Sequence, residues 1–242
     1  MDLKNKAALV TGGGSGIGLG VARALAAEGC RVAICGRNAA KLQQAAAASP
    51  GTPILTRAAD VADRDDVARL VAWATEQLGP LAIVVNSAGV NVARRKMSEL
   101  DPADFDRVMA INCTGFYNVL HAVLPGMRER GDGLIVSISS IAGKRALPLA
   151  GPAYAASKFA ATALAAAVGL EERPNGIRIT SIYPGEVDTP ILDQRPVPVP
   201  AEKKARMVHP EDIAACVVAI AKLPAHVIVP ELIITPTYQE YL

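Results

Sequence analysis

The stretch TGGGSGIG, Thr11 to Gly18, joins an apolar run (KAALV) to a helical pattern that opens at Ile17. Glycine inside a regular element costs roughly 0.5–1 kcal/mol relative to alanine. Glycines at 12, 16 and 18 therefore mark a place where the chain needs bare backbone. A strand that feeds a helix through such a turn is the first half of a βαβ unit, and the rest of the chain repeats the alternation. Apolar runs at AALV, RVAIC, PILTRAAD, LAIVVN, GLIVSISS, GIRITSIY and HVIVPELII read as strands. Between them lie helical patterns at 17–28, 38–48, 63–78, 102–130, 153–172 and 210–222, with Asp63 a plausible N-cap and Pro125 late in one long helix. Near-continuous apolar strands separated by helices predict an α/β protein with a parallel sheet covered on both faces.

The 242 residues carry 51% hydrophobic side chains and no composition break, so one domain spanning 1–242 is expected. The proline-dense QRPVPVP reads as a loop. A net charge of +2, with no basic run interleaved with aromatics, argues against a nucleic-acid partner. Cys30, Cys35, Cys113 and Cys216 show no metal-ligand or disulfide spacing, and His121, His209 and His226 are scattered. No metal site is expected, and reduced thiols fit a cytoplasmic protein. The N-terminal MDLKNK lacks the apolar stretch of a signal peptide, and no run of about 18 apolar residues suggests a membrane span.

The spacing of the glycines predicts a phosphate cradle. Gly12 permits the tight turn, Gly16 leaves room for a pyrophosphate and Gly18 lets the helix pack closely. The helix N-terminus adds unpaired N–H groups and a positive dipole end. An NAD site places a carboxylate at the end of the second strand. Here that strand ends in Gly36 followed by Arg37, whose guanidinium suits a 2′-phosphate, so NADP(H) is the preferred cofactor and NAD(H) a possible one.

TGGGSGIG, NSAG (Asn86 to Gly89), Asn112 in MAINCTG, SISS before YAASK, and YPGEVDTP follow one another along nearly the whole chain. In this order the sequence resembles the single-domain short-chain dehydrogenase/reductase family. The resemblance implies a doubly wound Rossmann fold and NAD(P)(H)-dependent interconversion of alcohols and carbonyl compounds. Tyr154 and Lys158, four residues apart, share a helix face. A free tyrosine with a pKa of about 10 is too weak a base at neutral pH, and a nearby ammonium is expected to lower that value. Tyr154 is then the proton donor and acceptor, and Ser140 a hydrogen-bond partner for the reacting oxygen. The family's usual spacing puts its serine at Ile141, so we infer one inserted residue in KRALPLAGP and leave Ser139 open beside Ser140.

By the same resemblance, Asn112 holds a water connected to Lys158, and Lys158 binds the nicotinamide ribose. The remaining cofactor contacts implied are Ser15 and Ile17 in the glycine loop, Asp60 and Val61 beside the adenine, and Asn86, Ala88 and Gly89 in NSAG. Pro184, Gly185, Val187 and Thr189 complete them along the nicotinamide. Residues 188–209 are expected to cover a small-molecule substrate, either a secondary alcohol or hydroxy acid or its carbonyl partner. The tail LPAHVIVPELIITPTYQEYL is similar to the family branch that oxidises serine and related 3-hydroxy acids. Alanine-rich helices at 102–130 and 153–172 imply a homo-oligomer, a tetramer or a dimer. Two rival readings are a non-catalytic NADP(H) sensor on this fold, which has no need of all four of Asn112, Ser140, Tyr154 and Lys158, and an epimerase or dehydratase, for which too little chain follows Gly185.

Overall fold

A computed structural model describes residues 2–240. Seven strands form one parallel sheet: β1 (Ala7–Thr11), β2 (Arg31–Gly36), β3 (Ile54–Ala58), β4 (Leu81–Asn86), β5 (Gly133–Ile138), β6 (Ile177–Pro184) and β7 (Glu231–Ile234). Their order is β3-β2-β1-β4-β5-β6-β7. The helices are α1 (Gly16–Ala27), α2 (Ala39–Ala47), α3 (Arg64–Leu78), α4 (Pro102–Met109), α5 (Gly115–Arg130), α6 (Pro152–Glu172), α7 (Ala201–Lys204) and α8 (Pro210–Lys222). This is the Rossmann arrangement expected. Its strand order reverses between β1 and β4, which opens a crevice at their carboxyl ends.

Alternate side chains of each strand serve opposite faces of the sheet. Val10, Ile34, Val85 and Val136 meet Val21 and Leu25 of α1, Leu42 of α2, and Ile213 and Val217 of α8. Leu9, Ala33, Val84 and Ile135 meet Val67 and Leu70 of α3, Phe116 and Leu120 of α5, and Ala161 and Ala165 of α6. Asp63 caps α3 as expected, its carboxylate accepting the Asp66 N–H at 2.9 Å.

Four expectations are revised. The helix over 102–130 is interrupted by a π-helical turn, Ala110–Thr114, between α4 and α5. Its cause is tertiary: Asn112 reaches out of the helix to Val90. At Gly115 an added Cβ would sit 2.8 Å from Val61 Cγ2, so the glycine lets α5 seat against that residue. The last strand is shorter than HVIVPELII suggests, because Pro230 has no N–H to donate to a ladder and only 231–234 pair with β6. The covering segment is not plain loop: it holds a 3₁₀ turn (Pro190–Gln194) and α7. Finally, residues 152–175 are long and apolar enough to cross a membrane by length and composition. In this fold Ala161 and Ala165 of α6 lie on the sheet, and Tyr154 and Lys158 face a cavity.

Candidate active site

The glycine loop leaves β1 with Gly12 at φ +65° and Gly16 at φ +53°. A Cβ on Gly12 would lie 2.8 Å from the Ala88 nitrogen, and one on Gly18 would lie 2.4 Å from the Gly12 oxygen. Bare backbone is thus needed where β1 meets the end of β4 and where α1 folds back on the loop. Thr11, which the sequence reading passed over, ties the two strand ends together. Its buried hydroxyl donates to Asn86 Oδ1 (3.2 Å) and accepts the N–H groups of Ser87 and Ala88 (3.1 Å each).

Beyond this loop lies a cavity of about 570 Å³. Its lining holds Gly12, Ser15, Gly16, Ile17 and Arg37 together with Tyr154, Lys158, Ser139, Ser140, Gly89, Pro184, Gly185, Val187 and Thr189. Arg37 is exposed. Gly18, Asn86 and Ala88 stay outside the lining and build the loop that borders it. Asp60 and Val61 also stay outside. The Asp60 carboxylate accepts the Ala62 N–H, and Val61 is buried in the core.

Tyr154 and Lys158 project from the first two turns of α6, with Lys158 Nζ 5.6 Å from the centre of the Tyr154 ring. Lys158 is buried and donates to the Ile138 carbonyl at 2.9 Å. Burial pushes its ammonium down to about 8. Burial also raises the Tyr154 phenol, and this outweighs the opposing effects of the Ser140 hydroxyl and the positive charge of Arg95. Desolvation dominates, in contrast to the lowering expected from the sequence, and the phenol is protonated at neutral pH.

The two serines separate. Ser140 Oγ caps a 3₁₀ turn by accepting the Ala142 N–H (3.1 Å) and lines the cavity beside Tyr154, whose ionised form it favours. Ser139 is buried and its hydroxyl lies 3.3 Å from that of Thr162. Asn112, within the π turn, accepts the Val90 N–H (2.8 Å) and donates to the Val90 carbonyl (2.9 Å) and Ser157 Oγ (3.0 Å). Its amide is committed to fixing the loop after β4 against α6. A Cβ on Gly89 would sit 3.5 Å from Asn112 Oδ1 and 3.6 Å from Lys158 Nζ, so that glycine keeps the asparagine and lysine close together.

Three cavity residues have no signal in local sequence. Glu186 takes Arg195 and Lys203 (2.9 Å each) and the Tyr238 hydroxyl (2.8 Å). Burial raises its carboxyl, but these donors win and hold it below the usual carboxylate range. Gln239 accepts the Glu186 N–H at 2.9 Å. Together they fasten the covering segment, whose ends pair through Val187 and Val208, to the C-terminal stretch. The third is Arg95, 7% exposed and bonded only to backbone carbonyls.

A glycine loop between β1 and α1, a Tyr–Lys pair on one helix and Ser140 thus line one cavity. Residues 6–197 match the family described as short chain dehydrogenase. The chain belongs to the short-chain dehydrogenase/reductase family. It is 33% identical over 234 residues to an uncharacterized oxidoreductase of Staphylococcus aureus (strain MW2), covering 97% of this chain and 98% of that one. It is 38% identical over 242 residues to glycine betaine reductase ATRR of Emericella nidulans, covering 97% of this chain but spanning only 19% of that longer protein. The alcohol dehydrogenase of the archaeon Thermococcus sibiricus, solved with 5-hydroxy-NADP, superposes with a TM-score of 0.86 at 30% identity over 97% of this chain and 98% of that one.

Proposed function

We propose that this chain is an NADP(H)-dependent oxidoreductase that interconverts a secondary alcohol or hydroxy acid and its carbonyl compound, with Tyr154 as the proton donor and acceptor. One observation carries the reading. A single cavity joins the glycine loop to Tyr154, Ser140 and Lys158, with the Lys158 ammonium 5.6 Å from the centre of the Tyr154 ring. A protein that only senses the nucleotide has no need of that second end.

The residues fit NADP(H). Gly12 and Gly16 present no side chain to a pyrophosphate, and α1 points its N-terminus at the same space. The exposed guanidinium of Arg37 lies where the second strand ends and takes the 2′-phosphate. Lys158 holds the ribose hydroxyls. When bound, the cofactor supplies or accepts the hydride at the substrate carbon.

In carbonyl reduction Ser140 donates a hydrogen bond to the substrate oxygen, and the Tyr154 hydroxyl gives that oxygen its proton. The raised phenol suits this direction, because the donor is protonated at neutral pH. In alcohol oxidation the tyrosine must first lose its proton. The Lys158 ammonium, Ser140 and Arg95 then favour the phenolate. Asn112 acts as a positioning residue by fixing Val90 and Ser157 around the lysine.

The family relationship, the fold and the NADP-type ligand of the Thermococcus enzyme support the cofactor assignment. The test is NADPH consumption against a panel of ketones, keto acids and aldehydes, alongside NADPH titration. Binding without consumption of NADPH by any member would replace this reading with the sensor.

A further inference from the structure

Six charged side chains line the cavity: Arg37, Arg95, Arg107, Lys158, Arg195 and one carboxylate, Glu186. Four of the five cations have an occupation. Arg37 faces the 2′-phosphate end and Lys158 the ribose in the function proposed above. Arg107 pairs with Asp104 at 2.9 Å, and Arg195 with Glu186 at 2.9 Å. Arg95 remains. Among the described residues it has no carboxylate partner, although it is 93% buried by its 7% exposure.

An ionised side chain taken out of water is costly unless an opposite charge compensates it. Arg95 has only carbonyl dipoles. Its Nε donates to Val92 O (2.8 Å), Nη1 to Leu149 O (3.0 Å) and Nη2 to Gln194 O. A guanidinium has five N–H groups, so these three bonds leave two N–H groups over. The burial is built in. Gly151, at φ +77°, abuts the arginine so closely that a Cβ there would lie 2.6 Å from its carbonyl oxygen and 2.8 Å from its Cβ. Gly151 is the N-cap of α6, so the backbone of Arg95 packs against the start of the Tyr154 helix. Nearby Arg195 adds further positive charge.

We propose that Arg95 is the recognition residue for a carboxylate on the substrate, so that the enzyme acts on keto acids or hydroxy acids rather than on neutral carbonyl compounds. The inference rests on the redox function proposed above and gives it a substrate class. The cofactor's phosphates are assigned above to the glycine loop and Arg37, which leaves Arg95 without that anion. Arg95 is bonded instead to the stretch before Tyr154 and to the covering segment, the two walls of the substrate end. A carboxylate there meets a guanidinium that three backbone carbonyls already orient.

The test pairs each of a series of short, branched and aromatic 3-oxo acids with its methyl ester, which keeps the ketone and removes the charge. Binding to the enzyme–NADPH complex is measured by calorimetry, and kcat/KM is measured in parallel. The account expects the preferred acid to exceed its ester by about tenfold or more, the range for a hydrogen bond to a charged group. Arg95→Gln brings that ratio close to one, while Arg95→Lys keeps part of it. The ratio is the readout because a merely structural loss lowers acid and ester alike. An Arg107→Gln variant leaves the ratio unchanged. The proposal is overturned if no acid binds better than its ester, or if Arg95→Gln weakens both members of a pair equally. Turnover of esters in that case leaves the redox reading intact. Arg95-dependent binding of acids with no turnover of any compound keeps the anion site and removes the redox reading.

Discussion

Replacing Thr11 by valine removes one hydroxyl and keeps the shape. That hydroxyl accepts two backbone N–H groups, Ser87 and Ala88, and donates to Asn86 Oδ1, at 3.1–3.2 Å. Thr11 is fully buried between β1 and β4, so no water enters to take its place. Each buried donor left without a partner costs about 1–3 kcal/mol. Ser87 and Ala88 are partly buried, which puts the two together at about 2–4 kcal/mol. For a chain of this size about 1 kcal/mol shifts the melting temperature by roughly 2–4 °C, so Thr11→Val should melt about 4–16 °C below wild type. Thr11→Ser keeps all three bonds and should fall far less. NADPH titration should show weaker binding by the valine variant, because Gly12 is seated against Ala88. Calorimetric melting of the three proteins decides it. A valine variant that melts within about 2 °C of wild type would refute the claim that Thr11 holds the loop together.

Arg37→Ala should weaken NADPH binding by about tenfold or more while leaving NADH nearly unchanged, as measured by fluorescence titration; equal weakening of both would place Arg37 elsewhere. Lys158 has a folded value of about 8 against an ordinary 10.5, so between these pH values the unfolded chain binds a proton that the folded chain does not. The stability of the cofactor-free protein relative to a Lys158→Met variant should therefore rise from about pH 8 to 10.5, as read by urea unfolding, and a flat difference would contradict the buried ammonium. Phe105, Tyr117, Phe159 and Leu170 are 38–62% exposed on the adjoining helices α4, α5 and α6. Light scattering should give a dimer or tetramer mass that Phe159→Glu reduces; a monomer mass at micromolar concentration would refute the oligomer.

The fold was legible because its strands are buried on both faces and its first turn is built of glycine, signals that depend only on local order. The Tyr154–Lys158 pair was legible for the same reason, since helical spacing alone puts both on one face. The π turn at Asn112 was not, because its cause is a bond to Val90, 22 residues away. Arg94 and Arg95 look alike in NVARRKM, yet one is exposed and the other buried, and only the carbonyls of Leu149 and Gln194 tell them apart. The raised Tyr154 phenol was not legible, because sequence does not show the desolvation that sets its direction. Ser139 and Ser140 separate only in the fold, where the Ser139 hydroxyl turns toward Thr162 and that of Ser140 caps the following turn.

The central claim is that Tyr154 exchanges a proton with the substrate oxygen. Its most direct test is the turnover number of Tyr154→Phe with an accepted keto acid, measured beside its NADPH affinity. Phenylalanine preserves the ring over Lys158 and removes only the hydroxyl, so affinity should stay near wild type while turnover falls by about 10²–10⁴-fold. A variant that binds NADPH normally and keeps more than about a tenth of wild-type turnover would contradict the account.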